Sequence, residues 1–221
     1  MDLITQGLLG ATLAQTAASM GRKVLIVDAD LRRPSVHKVL GIENNRGLMD
    51  AILFQRGFAN ALDTPVESLI QKSPLHENLS VLTTGAVPPE PPAVLASQAM
   101  QELVEQVGDS FDLVIYDTPP LLGFADAPLL ASQTQGLLLV VGLDRVKRSQ
   151  LSQVLDDLRL SKIPTLGVVA NLAQVQLTKS LSSYYQYYAP EDSQPSPQQQ
   201  PAQSWSQHIS RLVSQFIPGK R

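Results

Sequence analysis

Residues 23–34, KVLIVDADLRRP, are the stretch that decides the fold of this chain. The apolar run VLIVD is short, rich in β-branched residues and flanked by charge, which predicts a strand buried on both faces of a sheet. Two carboxylates, Asp28 and Asp30, lie at or just beyond the C-terminal end of this strand, and Arg32 and Arg33 follow. In an open parallel sheet, ligands bind outside the carboxyl ends of the strands. Acids placed there can hold a hydrated Mg²⁺ and arginines suit phosphate, although a loop with solvated charges is the plainer alternative.

A second stretch, residues 111–120 (FDLVIYDTPP), has the same design. Its apolar run also ends in an acid, Asp117, and the following Thr-Pro-Pro stops the strand and turns the chain. Two buried strands with terminal acids predict one shared site, with Asp28, Asp30 and Asp117 arranged around a metal-bound nucleotide.

Strands and helices alternate along the rest of the chain. Further strands are predicted at 65–71, 79–83, 136–143 and 165–171, and helices at 8–20, near 47–55, and at 93–107, 125–134 and 149–161. This alternation predicts an α/β fold with a mainly parallel sheet flanked by helices. We expect the first helix to bury a face containing Leu9, Leu13 and either Thr16 or Ala17, and the helix at 93–107 to bury Ala96, Ala99, Met100, Leu103 and Val107.

Composition excludes several classes of function. The 221 residues carry a formal net charge of −3, so there is no strong nucleic-acid footprint. The absence of cysteine excludes disulfides, thiolate metal sites and thiol catalysis. The longest apolar runs are too short to span a bilayer, and the first residues lack the features of a signal peptide. We therefore expect a cytoplasmic chain that a partner can recruit to the membrane.

Taken together, these motifs resemble those of the bacterial tyrosine kinases of capsule and exopolysaccharide synthesis, which belong to the deviant P-loop ATPases together with MinD and ParA. LIVDADLRRP resembles the family's second nucleotide motif (Walker A′), and VIYDTPP resembles its Walker B motif. RRPSVHKVLGIENNRGLMDAI resembles the segment after the A′ motif, LTTGAVPPEPPAVLAS the T-x-G-x-x-P-P-x-P-x-x-L loop, and SYYQYY the C-terminal tyrosine cluster. The resemblance covers residues 10–188, and the combination of motifs in this order is specific.

The resemblance implies a role for each polar residue at the two strand ends. Asp28 and Asp117 would help to hold the hydrated Mg²⁺ of Mg-ATP. Asp30 would orient or deprotonate the incoming tyrosine hydroxyl. Arg32 or Arg33 would support phosphate or a neighbouring subunit.

Two further sites are implied by the resemblance. Asn171, at the end of the predicted strand 165–171, resembles the family's asparagine that faces the adenine base, although asparagine at a strand end is also a common turn former. The tyrosine cluster resembles the family's autophosphorylation sites. Each phosphate would add about −1.5 to −2 charge, so several together would repel a neighbouring subunit and loosen a ring. The alternative is an aromatic edge that docks on the domain. The tyrosines concerned are Tyr184, Tyr185, Tyr187 and Tyr188.

The sequence departs from the family at the phosphate loop, G-x-G-K-[ST]-T. No lysine precedes Lys23, Gly7 stands where the loop lysine is expected, and Leu8 and Leu9 stand where the hydroxyl residues are expected. The E-x-x-R-x-x-R oligomerisation helix is missing too. Three explanations remain open: a fragment of a longer kinase, which we favour, a subunit that keeps the fold without hydrolysis, or a partner chain that supplies the missing strand. Phosphoryl transfer depends on positioning and charge stabilisation, and the missing lysine and loop amides would supply most of both. We therefore expect weak or no ATP turnover from this chain alone.

The expected organisation is a kinase-like domain at 1–180, the tyrosine cluster at 181–188, a Pro- and Gln-rich linker at 189–204 and an amphipathic helix at 205–217. That helix can lie on an anionic membrane or pack on the domain or a partner. The expected function is tyrosine autophosphorylation that regulates exopolysaccharide chain length and export. The expected partner is a membrane co-polymerase at the inner face of the plasma membrane, and the family forms homo-oligomers. The alternatives are a non-catalytic scaffold subunit and a MinD/ParA-like positioning ATPase.

Overall fold

The structure is a computed structural model that describes residues 3–55, 65–143 and 145–171. The predicted tyrosine cluster, linker and C-terminal amphipathic helix lie outside the described residues. The elements, in chain order, are α1 (Leu3–Ser19), β1 (Val24–Asp28), α2 (Val36–Leu40), α3 (Leu48–Gln55), α4 (Val66–Leu69), β2 (Gln71–Lys72), β3 (Leu79–Leu82), α5 (Pro91–Leu95), α6 (Gln98–Ser110), β4 (Leu113–Asp117), α7 (Asp126–Ala131), β5 (Leu137–Gly142), α8 (Arg148–Leu160) and β6 (Thr165–Asn171).

Strand pairing confirms the mainly parallel sheet. One sheet has the order β2-β3-β1-β4, in which β1 is parallel to both β3 and β4 and only the two-residue β2 runs antiparallel. The strands β5 and β6 form a separate parallel pair. The chain divides into two compact units, the first containing the four-stranded sheet and the second containing the β5–β6 pair.

Strand β1 is the centre of the first unit, and all five of its residues are buried. Its side chains alternate between two apolar clusters, as a strand with both faces covered requires. Leu25 and Val27 pack with residues of α3 and α6. Val24 and Ile26 pack with residues of α1 and α2 on the other face. The predicted two-sided burial of this strand is therefore confirmed.

The buried face of α1 differs from the prediction. Ala11, Ala14 and Ala18 are buried, whereas Leu13 and Thr16 are exposed. Small side chains allow the helix backbone to lie close to the sheet. Leu9 and Ala17 are half-buried, and Ala17 packs against the same cluster as the buried alanines, so the predicted face was right only in part.

Two other local predictions were wrong. Residues 65–71, expected to be a strand, form α4 and then enter β2, because Pro65 precedes the helix in a conformation suited to a cap position.

The single helix expected at 93–107 is split into α5 and α6, and Ala96 is exposed at the break. The Ser97 hydroxyl starts α6 by accepting a hydrogen bond from the Met100 amide at 3.2 Å. The rest of the predicted face of this helix is buried, as expected: Ala99, Met100, Leu103 and Val107.

Ser97→Ala will lower the free energy of unfolding by about 0.5–2 kcal/mol, because the Met100 amide loses its cap. Urea denaturation followed by circular dichroism measures the change. Ser110→Ala is the matched control in the same helix: the exposed Ser110 hydroxyl donates only to the Gln106 carbonyl oxygen, so its effect will stay within about 0.5 kcal/mol. Equal effects of the two variants would contradict the assigned cap.

Candidate active site at the carboxyl ends of β1 and β4

The first two predicted site residues lie side by side. Asp28 and Asp117 are register partners at the last positions of β1 and β4, and neighbouring strands are about 4.8 Å apart. The main chain holds this alignment beyond the strands, since the Ala29 amide donates to the Asp117 carbonyl oxygen at 2.9 Å. The sheet therefore brings the two carboxylates together as predicted.

The Asp28 side chain is fully buried, and within the described part of the chain only one of its two carboxylate oxygens accepts hydrogen bonds. Its Oδ2 accepts hydrogen bonds from the Ser35 and Val36 amides at 3.0 Å each, where α2 begins. Its Oδ1 has no hydrogen-bond partner among the described residues. Burial raises the pKa of Asp28 to about 6, even though the two amide donors act in the opposite direction. A buried carboxylate oxygen without a donor is a position where a bound cation or its water would be stabilised.

Asp117 is in an environment that also disfavours its charge. Burial raises its pKa to about 7, and the negative charges of Asp28 and Asp30 add to the rise. Helix α1 passes close by, since a Cβ placed on Gly10 would lie 3.4 Å from Asp117 Oδ1. The negative charges of the adjacent carboxylates therefore repel one another where burial limits their hydration. A bound cation would relieve this repulsion.

The donor set fits hydrated Mg²⁺ better than a metal held entirely by protein. Within residues 3–55, 65–143 and 145–171, no three acidic, histidine or cysteine side chains come close enough to hold a metal ion. Magnesium usually keeps several waters and is bound through one or two carboxylates plus substrate phosphates. Asp28 and Asp117 supply two such carboxylates.

Asp30 lies in the turn that follows β1. It is 5% exposed, and its Oδ1 accepts the amides of Arg32 and Arg33 at 3.1 and 2.9 Å. Its charge contributes to the raised pKa values of both neighbouring aspartates. The turn therefore holds the carboxylate beside the pair.

Arg32 is bound to a partner that the sequence did not indicate. Its Nε lies 2.9 Å from Oδ1 of Asp126, and its Nη2 lies 3.1 Å from Oδ2. The guanidinium carbon lies 4.4 Å from the centre of the Phe124 ring. The hydrogen bond to Asp126 raises the pKa of Arg32. An aspartate in the first turn of a helix is too common a feature to reveal such a role from sequence.

The two remaining predicted site residues lie in different units of the chain, Arg33 in the first and Asn171 in the second. Arg33 has an exposed side chain and contributes its amide to Asp30. Asn171 ends β6 in the second unit, where its carbonyl oxygen accepts the Leu143 amide. The contacts predicted for Arg33 with phosphate and for Asn171 with adenine stay predictions.

Comparison with known proteins defines the class first. Residues 6–199 match the family model described as ParA, NUBPL iron-transfer P-loop NTPase. The chain therefore has the fold of a ParA-type P-loop NTPase domain.

Individual relatives define the family within that class. The chain is 35% identical to the tyrosine-protein kinase YwqD of Bacillus subtilis over 82% of this chain and 71% of the relative. It is 30% identical to the putative tyrosine-protein kinase CapB of Staphylococcus aureus over 83% of this chain and 75% of the relative. The solved kinase domain of the Escherichia coli tyrosine kinase ETK is similar with a TM-score of 0.66 and 30% identity, over 76% of this chain and 62% of that one. The chain belongs to the bacterial tyrosine kinases.

Proposed function

We propose that this chain binds Mg-ATP at the carboxyl ends of β1 and β4 and acts as a protein-tyrosine kinase. The observation that carries the proposal is the pair Asp28 and Asp117, two adjacent carboxylates of which the first is fully buried and the second half-buried, with raised pKa values and an unpartnered Asp28 oxygen. Membership of the bacterial tyrosine kinases supports the choice of reaction.

The residues present suggest a division of work. Asp28 and Asp117 would hold the hydration shell of Mg²⁺, and this ion, when bound, neutralises charge on the phosphates. One oxygen of Asp30 is engaged by the amides of its turn. Its other oxygen is therefore the atom that would accept the proton of the attacking tyrosine hydroxyl. The phosphorylated side chains would be those of the C-terminal cluster, as the sequence predicts.

The missing phosphate-loop lysine limits the rate of phosphoryl transfer that we expect from this chain alone. No lysine precedes Lys23 in the sequence, and a lysine with backbone amides normally stabilises the transferred phosphoryl group. We therefore propose slow turnover by the isolated chain.

On the family resemblance we also propose a role in regulating exopolysaccharide chain length and export, with a membrane co-polymerase as partner at the inner face of the plasma membrane. Among the described helices, none has both the length and the apolar character needed to cross a membrane.

Calorimetry with Mg-ATP tests the site. We expect micromolar binding by the wild-type chain and a loss of about 10- to 100-fold in affinity in Asp117→Ala, because one of the two carboxylates is removed. Asp109→Ala removes an exposed acid near the end of α6, away from the strand ends, and will leave binding unchanged. A folded wild-type chain that binds no Mg-ATP would refute the proposal and support a non-catalytic subunit.

A further inference from the structure

A cluster of three side chains joins two loops beside the candidate site. Asp126 lies in the first turn of α7, just after the loop that follows Asp117, and Arg32 lies in the loop that follows β1. Their side chains form a bidentate ion pair, and Phe124 stacks on the guanidinium. We call these three residues the Arg32 clamp.

The geometry of the Arg32 clamp differs from that of an ordinary surface ion pair. The Asp126 side chain is 0% exposed, whereas Arg32 is 32% exposed. Exposed pairs contribute little to stability, but a planar bidentate pair with one fully buried partner restricts the position of both side chains. The guanidinium is held along one edge by both carboxylate oxygens of Asp126 and on one face by the Phe124 ring, so its orientation is well defined.

The clamp reaches the candidate site through the main chain of Arg32. The amide of this same residue donates to Asp30 Oδ1, and the next amide, that of Arg33, donates to the same oxygen. A displacement of Arg32 would therefore move the two donors that orient the Asp30 carboxylate. The loops after β1 and β4 are also joined close to the strands by the Ala29–Asp117 hydrogen bond, and the clamp provides a second connection farther along both loops.

We propose that Asp126 is a positioning residue: it anchors Arg32 and thereby orients the Asp30 carboxylate relative to Asp117. The catalytic consequence rests on the proposed function, in which Asp30 receives the tyrosine proton. Arg32 then serves the reaction through Asp30, and its fork of donors is directed at Asp126.

Amide hydrogen exchange by NMR tests the positioning without any need for turnover. Asp126→Asn keeps the shape of the side chain and removes the charge. The exchange rates of the Arg32 and Arg33 amides will increase by about tenfold or more, while those of Ser35 and Val36, which Asp28 holds, will not change. Asp112→Asn is the control, because Asp112 accepts the Lys23 amide at the other end of β1. Unchanged exchange at Arg32 and Arg33, or an equal increase throughout the sheet, would overturn the proposal.

A kinetic cycle then tests whether the clamp acts through Asp30. We expect Asp126→Asn to lower kcat for phosphorylation of a tyrosine peptide by about 10- to 100-fold and to leave KM for Mg-ATP nearly unchanged. In an Asp30→Asn background the same substitution will have no further effect, because the oriented group is absent. Additive losses would overturn the proposal. A wild-type chain without any transfer would refute the proposed function instead, and the exchange result alone would then decide whether Asp126 orients the turn.

Discussion

Gly47→Ala will destabilise the fold by about 3 kcal/mol, at the upper end of the usual cost of overpacking. A Cβ at this position would lie 1.9 Å from the Thr83 carbonyl oxygen and 2.9 Å from the Gly85 nitrogen. Both obstacles are main chain, so no side chain can rotate to make room.

The backbone around Gly47 has little freedom to retreat. The Leu48 amide donates to the Thr83 carbonyl oxygen at 2.7 Å, and the Met49 amide donates to that of Thr84 at 3.0 Å. Thr84 in turn donates its hydroxyl to the Asp28 carbonyl oxygen. A shift that relieves the clash would therefore break hydrogen bonds next to the candidate site.

Thermal and urea unfolding measure the effect of Gly47→Ala. Gly108→Ala is the matched control: Gly108 lies in α6 with nothing within 4 Å of a new Cβ. Alanine is preferred to glycine inside a helix, so this variant will be more stable than wild type by about 0.5–1 kcal/mol. Wild-type stability of Gly47→Ala would contradict the close approach of the Gly47 main chain to that of Thr83 and Gly85.

The ligand-free chain will become more stable as the pH falls from 8 to 5, through the carboxylates of Asp117 and Asp28. Their pKa values in the folded state, about 7 and about 6, lie above the ordinary value of 3.8. The folded state therefore binds more protons than the unfolded state within this window. The stabilisation is complete below the unfolded pKa and is lost as the pH rises through 6 and 7. We expect a gain of about 4 kcal/mol on acidification to pH 5, with the larger part from Asp117.

Asp117→Asn separates this contribution from the other titrating groups. The variant will be more stable than wild type at pH 8 by about 2 kcal/mol, because a desolvated charge has been removed, and the difference will shrink at pH 5. His37 acts in the opposite direction, since burial lowers its pKa, but it is present in both proteins and cancels in the comparison. Urea denaturation across this pH range is the measurement, with Asp109→Asn, the same substitution at an exposed acid near the end of α6, as the control. A constant difference between wild type and Asp117→Asn at all pH values would contradict the raised pKa.

The same titration links stability to ligand binding. Carboxylates must be ionised to hold a cation, so under the proposed function the affinity for Mg-ATP, measured by calorimetry, will increase between pH 6 and 8 while the ligand-free fold becomes less stable. A site that is unfavourable without its ligand is typical of functional carboxylates.

Local sequence was sufficient for the centre of the fold. The strands β1 and β4, their parallel arrangement and the adjacent positions of Asp28 and Asp117 followed from two short apolar runs that end in an acid. These features are predictable because parallel strands end at the same edge of the sheet. The burial predicted for the second strand was wrong: Leu113 is exposed and the rest of β4 is half-buried, because β4 lies at the edge of the four-stranded sheet. The turn around Asp30 is equally local, since its bonds span two and three residues.

Contacts between distant segments decided the rest. The pairing of Arg32 with Asp126 joins residues 94 positions apart, and the approach of Gly47 to Thr83 joins separate loops. The buried alanine face of α1 depends on how closely that helix lies against the sheet. The sequence by itself thus determined which strands carry the acids. Only the tertiary structure decided which charges are paired and which glycine cannot be replaced, because packing depends on neighbours that local periodicity does not specify.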